Sequence, residues 1–189
     1  MSTKSNFSEQ GSVLKVGMFN LFDGTNVEKL DNKTRFQVRS IVAMIDENRN
    51  YALGMCPVKK MLPFAFSCLP FESEEIHSRR EATNLLLEAA AKYGIELPAA
   101  EFCVNYEQHG VSKGEAFLPS YQEAQQMHKS NLFEAWRVIG LDRGDCTFVT
   151  SSVGYNFNVW LQSYSRTVVS GWCNQYRTFG VIPVVEIKL

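Results

Sequence analysis

The sequence predicts one α+β domain, and three observations carry that prediction. Strand-like runs of β-branched and aromatic residues occupy both ends of the chain, amphipathic helical patterns lie between them, and no internal repeat interrupts the order. At 189 residues the chain has the size of one ordinary domain able to bury its own core. The balance of 45% hydrophobic and 21% charged residues is that of a globular protein, and a formal net charge of -1 gives no electrostatic basis for nucleic acid or an anionic membrane as partner.

Residues 1–12 are a polar lead without the apolar core of a secretion signal. Residues 13–22 alternate loosely and read as a strand ending at the turn Asp23-Gly24. Residues 36–45 and 51–56 form a hairpin across the polar turn 46–50. Pro57, Pro63 and Pro70, set among Met61, Leu62, Phe64, Phe66, Leu69 and Phe71, break both helix and central strand; they predict an irregular loop laid across the core or against a partner chain. A helix follows, with Ala82, Leu85, Leu86, Ala89, Ala90 and Tyr93 on one face and Gly94 as its stop. Residues 99–106 fit either a helical turn or a buried strand. Ser120 followed by Glu123 has the form of a capping box and opens a second helix over 121–130. Residues 131–139 extend that helix or form a separate turn, with Leu132, Phe133, Trp136 and Ile139 as the buried face. The last quarter, residues 147–189, reads as an antiparallel β-meander with strands around Phe148-Val149, Val159 to Leu161, Thr167 to Val169 and Val181 to Ile187. The terminal strands are expected to close against the early ones.

Between residues 155 and 179 the density of Tyr, Asn, Ser, Gln, Arg and Trp is that of a recognition surface, which supplies rigid aromatic area and adaptable hydrogen bonding. The competing reading is a set of solvated strand faces and turns. Trp136 and Trp160 fall at core positions; Trp172, in the polar stretch, is either an exposed anchor or a lid on the core. Cys56, Cys68, Cys103, Cys146 and Cys173 are scattered and odd in number, so buried reduced thiols fit better than disulfides or zinc. His77, His109 and His128 build no nucleophile-base grouping by spacing. Asp142 and Asp145 are a weak candidate for a cation loop. No metal and no cofactor is expected, and no apolar run is long enough for membrane insertion.

Three phrases resemble one family. Phe117-Leu118-Pro119-Ser120-x-x-Glu123 is similar to the aromatic-Leu-Pro-Ser-x-x-Glu signature that opens the second helix of bacterial and phage C-type-lectin-like domains related to the formylglycine-generating enzyme fold. Thr150-Ser151-Ser152 followed by Val159-Trp160 resembles its Ser-Ser and Ala-Trp spacing, and Gly180-Val181-Ile182-Pro183-Val184 its Gly-Val-Arg-Pro-Val close. Asn84 and Ala99-Ala100-x-x-Cys103-x-x-Tyr106 also look like family positions. The resemblance implies a C-type-lectin-like fold with two helices and a C-terminal antiparallel β-meander over residues 37–189. Residues 1–36 remain as an N-terminal arm and first strand, for oligomerisation or docking. Ile182 departs from the family's Arg, and Phe117 from its commoner Trp or Tyr.

Family members include variable proteins of diversity-generating retroelements, adhesins, fimbrial tips and phage receptor-binding modules. By that resemblance the binding surface comprises Tyr155, Asn156, Asn158, Ser163, Trp172, Asn174, Tyr176 and Arg177, with Trp160 as scaffold. The expected function is non-catalytic binding of a cell-surface protein or glycan ligand, with a homo-oligomer as one option. The setting is a virion or cell surface reached after cytoplasmic synthesis, and otherwise the cytoplasm. One alternative is a structural assembly subunit of a virion or fimbria, working through residues 57–71. Another is an oxidase-like enzyme of the same fold using Cys146 and Cys173.

Overall fold

The computed structural model describes residues 13–67, 70, 79–130, 132–140, 147–154, 158–163, 171–174 and 178–189, with the backbone alone at 79, 133, 134, 147–149, 153, 154, 158–163 and 171–174. In chain order the strands are β1 Phe19–Leu21, β2 Asn26–Val27, β3 Val38–Asp46, β4 Tyr51–Met55, β5 Lys60–Pro63, β6 Ala116–Phe117, β7 Thr147–Gly154, β8 Asn158–Ser163, β9 Gly171–Asn174, β10 Thr178–Val181 and β11 Val184–Lys188. The helices are α1 Arg79–Lys92, α2 Pro98–Val104, α3 Tyr121–His128 and α4 Phe133–Val138. The strands form two sheets, one ordered β2-β1-β3-β4-β11-β6 and the other β5-β10-β7-β8-β9. The architecture is α+β with mostly antiparallel pairing.

Local chemistry explains the first sheet. β1 is only three residues long, because Gly17, with φ 88°, turns the chain just before it, and Val13 and Val16 stay exposed. Asp23 Oδ1 accepts from the Thr25 amide at 2.9 Å and Gly24 sits at φ 86°, so the turn to β2 falls at Asp23-Gly24 as the sequence indicates. β3 and β4 pair as the expected hairpin, Asp46 opposite Tyr51, around a turn in which Asn50 takes φ 54°, a conformation asparagine tolerates. At Gly54 a Cβ would stand 2.7 Å from Ser40 Cβ and 2.9 Å from Ile187 Cδ1, so only glycine lets the neighbouring strands approach there.

Several expectations need correction. The Pro-rich stretch 57–71 is not wholly irregular: β5 lies within it and pairs antiparallel with β10. Pro63 is tolerated because it ends an outer strand, where a missing N–H breaks no ladder. The run 181–187 is not one strand. Ile182-Pro183 interrupts it, and β10 and β11 enter different sheets, with the Pro183 carbonyl accepting from the Cys56 amide at 2.9 Å. Hence the meander holds for β7, β8 and β9, while β10 runs parallel to β7. The last strand, β11, does pair with β4, closing the end of the chain on its beginning.

Among the described residues there are four α-helices where two were expected. Residues 98–104 resolve to a helix because Pro98 starts it and Ala99, Ala100 and Cys103 share its buried side. α4 is separate from α3, with Leu132 and Trp136 buried as expected and Ile139 partly so. In α1 the buried stripe is Ala82, Thr83, Leu86 and Ala90; Leu85 and Tyr93 face out, at 41% and 58% exposure. The helix is rotated because the Thr83 hydroxyl has a partner inside, described below.

The largest core cluster joins Ile41, Leu53 and Met55 to Phe117, Met127, Trp136 and Ile182. Ile182, 2% exposed, fills its place in that cluster with apolar bulk. A second cluster packs α1 and α2 through Leu86, Leu97 and Ala100 on Phe64, Leu118 and Val181.

Candidate functional site

The segment from Phe117 to Glu123 is the meeting point of the molecule. Phe117 pairs with Val184 of β11. Leu118 donates its amide to Thr83 Oγ1 at 3.0 Å, and its carbonyl accepts from the same hydroxyl at 3.3 Å. The Pro119 carbonyl accepts from the Ser151 amide at 2.8 Å, and the Tyr121 amide donates to Ser152 Oγ at 3.0 Å. Ser120 and Glu123 form the reciprocal box: the Ser120 amide donates to Glu123 Oε2 at 2.8 Å and the Glu123 amide to Ser120 Oγ at 3.2 Å. Tyr51 of β4 adds its hydroxyl to Glu123 Oε1 at 3.4 Å. The two Ser- and Pro-containing phrases are therefore bonded to each other. They form scaffold, and they tie β7 to the start of α3.

That tie positions the strands carrying the candidate binding residues. Asn158 pairs with Asn174, Trp160 with Trp172, and Gly154 with Asn158. The strand ends at Gly154, Asn158 and Asn174 thus adjoin, and the connections 155–157 and 175–177 depart from them. Tyr155, Asn156, Tyr176 and Arg177 lie outside the described residues, as do Thr167 to Val169, Asp142, Asp145 and Cys146. Trp172 sits inside outer strand β9. Ser163 is opposite Thr147, at the other end of β8 from Asn158, roughly 17 Å away along an extended strand. The backbone brings Asn158 and Asn174 together and sets Ser163 apart.

A polar cavity of about 430 Å³ opens elsewhere, over the first sheet, lined by Asn20, Gly24 and Asn26, by Arg39 and Arg80, and by Glu115, Glu186, Ile187 and Lys188. Glu115 Oε2 accepts from the Ser112 amide at 2.8 Å and from Arg39 Nη2 at 3.1 Å. These two donors, the backbone one first, hold its carboxyl below the usual range. Arg80 Nη2 donates to the Glu115 carbonyl at 3.3 Å. Sequence reasoning missed this cavity. Its one local signal is an Asn between two core residues in Phe19-Asn20-Leu21, all three buried.

Cys56 and Cys103 are buried free thiols, and burial pushes both far up, so they stay protonated and are poor nucleophiles. Tyr106 is hydrogen-bonded to His109 Nδ1; burial raises the phenol and lowers the imidazole, which makes a neutral pair. Among the described residues no cluster of His, Cys, Asp and Glu could hold a metal, and no helix is long and apolar enough to cross a membrane.

No protein-family model matches the sequence, and no curated protein matches it. Among solved structures the chain is similar to a fimbrial protein from Bacteroides ovatus, with a TM-score of 0.68 at 13% identity, over 90% of this chain and 48% of that one. The chain spans about half the length of that protein. At this identity the likeness speaks for the fold alone.

Proposed function

We propose that the chain is a non-catalytic subunit of a surface-displayed assembly, of fimbrial or virion type, that contacts its neighbours through the β5 segment. The observation that carries this reading is the likeness to a fimbrial protein over 90% of the chain. The β5 segment supports it: Phe64 and Ala65 are buried, whereas Met61 and Phe66 leave large apolar side chains 52% and 62% exposed on and just after an outer strand. Such surface favours burial against another chain. Light scattering over a concentration series tests it, with Met61→Asp and Phe66→Asp as variants. The native chain is expected to self-associate and the variants to lose association with an unchanged melting temperature. A native chain that stays monomeric throughout, or variants that associate equally, overturns the reading.

A second reading, ligand binding by a C-type-lectin-like frame, is favoured by one observation: the ends of β7, β8 and β9 adjoin, so the connections bearing Tyr155, Asn156, Tyr176 and Arg177 start together beside Asn158 and Asn174. The bonded Ser120, Glu123, Ser151 and Ser152 phrases support the same frame. Glycan and cell-binding screens of the native chain and of Tyr155→Ala with Tyr176→Ala test this reading. Equal binding by both would remove it.

A further inference from the structure

We propose that the loop 105–115, between α2 and β6, is an acid-released latch in which His109 is the catch and the Phe22 ring is what the loop covers. This does not rest on the assembly reading, which concerns Met61 and Phe66 on and beside β5.

The loop is pinned at two buried points, Tyr106 and Val111, each 3% exposed, which pack with Cys56, Ala116 and Val185. Between them the chain makes a tight turn. The Val111 amide donates to the Gln108 carbonyl at 3.0 Å, and the two central residues, His109 and Gly110, take φ 54° and 69°. Positive φ at both centres is the pattern of a type I′ turn, and histidine is one of the few side chains that enter that region readily. At Gly110 a Cβ would stand 2.9 Å from Phe22 Cδ1, so the backbone of the turn lies directly on that ring. The Phe22 amide donates to the Gln37 carbonyl at 2.9 Å, and the residue before Gln37, Phe36, is 78% exposed. Lifting the turn therefore uncovers one phenyl ring close to another.

What holds the turn down is the His109 ring. It stacks on Tyr106, with centroids 6.2 Å apart and 19° between the planes, and its Nδ1 is hydrogen-bonded to the Tyr106 hydroxyl. That hydroxyl has no other polar partner among the described residues, so its proton goes to Nδ1 and the neutral imidazole keeps its own on Nε2. Protonation of Nδ1 removes the acceptor. The hydroxyl proton of a buried ring is then left with nothing to meet, and water reaches it only when the turn lifts.

The charged and titratable groups around the imidazole do not supply a replacement. On the loop itself Glu107 and Lys113 are exposed, and Glu115 is bound to the Ser112 amide and to Arg39 of β3. At the turn after β1, Asp23 Oδ1 accepts from the Thr25 amide. From β5, Lys60 stands over the Phe102 ring at 5.2 Å, one ring removed from Tyr106, and the Cys56 thiol is kept protonated by burial. None of them contributes to the shift of the imidazole, which burial alone sets below the ordinary 6.5. The closed loop is thus fully favoured above pH 6.5 and loses that advantage as pH falls from 6.5 to the folded value. Glu115, held below 4.5, stays ionised across that window.

The test follows the full chain by NMR from about pH 7.5 to 5, reading the His109 ring, the Phe22 ring and hydrogen exchange at the Val111 amide corrected for its intrinsic pH dependence. His109 is expected to titrate below 6.5, the Phe22 signals to move with the same midpoint, and the opening constant at Val111 to rise about tenfold for every unit by which that midpoint lies below 6.5. Asparagine also accepts positive φ and carries no charge in this range, so His109→Asn is expected to make the opening constant flat with pH. Tyr106→Phe, which removes the hydroxyl alone, is expected to bring the His109 midpoint up toward 6.5 and to shrink the response. A His109 midpoint at or above 6.5, an opening constant at Val111 that does not change with pH, or a response of the native size in either variant overturns the proposal.

Discussion

Replacing Thr83 by Val tests whether the Leu118 backbone is held by that hydroxyl. The two side chains have the same shape, and helix propensity differs little between them, so the change isolates the hydrogen bonds. Thr83 Oγ1 accepts the Leu118 amide at 3.0 Å and donates to the Leu118 carbonyl at 3.3 Å, and both residues are fully buried. In the variant the amide loses its partner, at a cost of about 1–3 kcal/mol, and the carbonyl loses a bond of about 1 kcal/mol. The added methyl group returns about 1 kcal/mol. The net destabilisation is about 2 kcal/mol, equivalent to a fall of about 4–8 °C in melting temperature for a chain of this size. Urea titration and calorimetry measure it. Thr83→Ser is the control, since it keeps both bonds and loses one methyl, about 1 kcal/mol. A Val variant as stable as the Ser variant, or more stable, refutes the reasoning.

Gly54→Ala is expected to cost about 1–3 kcal/mol or more, because its Cβ meets Ser40 and Ile187 inside a sheet; a change within 0.5 kcal/mol in urea unfolding, roughly the noise of a surface substitution, counts against that close approach. Glu115 has a folded-state pKa lowered by the Ser112 amide first and Arg39 next, so its contribution is present above the ordinary value of 4.5 and fades as pH falls through the folded value. Glu115→Gln is therefore expected to flatten the acid limb of the stability profile below about pH 4.5, by an amount reduced by solvent because the side chain is partly exposed; parallel limbs for the two proteins contradict this. Cys56 and Cys103 are expected to resist maleimide in the native protein and react on unfolding, as read by mass spectrometry of the labelled peptides; labelling at native conditions as fast as a free thiol contradicts their burial.

What could be read from the sequence divides by the range of the interaction. Ser120-x-x-Glu123 announced its box because both partners are three residues apart, and the hairpin of β3 and β4 announced itself because its turn lies between them. β5 did not. Its partner is more than 100 residues downstream, and prolines at 57 and 63 spoke against a strand that exists only because β10 pairs with it. The break at Ile182-Pro183 was hidden for the opposite reason: residues 181–187 have strand propensity throughout, and only the two-sheet topology divides them. In α1, apolar spacing placed Leu85 and Tyr93 inside. The helix instead turns Thr83 inward, because a buried amide at Leu118 needs an acceptor more than the core needs another leucine.

The same logic separates the two candidate sites. The Tyr- and Asn-rich C-terminal residues stood out by composition, which says what a surface is made of and nothing of where it points. Ser163 shows the weakness, since it shares a strand with Asn158 but lies at its opposite end. The cavity over the first sheet has no composition to notice, because Asn20, Arg39, Arg80, Glu115 and Lys188 come from five separate stretches. What marks it is a buried amide, Asn20, in a strand otherwise built for the core. Adjacent on the sheet, its register partner Ser40 is also buried and lies against Gly54, which leaves no room for a side chain there. An apolar residue at position 20 would lose the bonds that Asn20 Nδ2 gives to the Gly24 carbonyl and to Asn26 Oδ1, so the amide answers to the turn between β1 and β2.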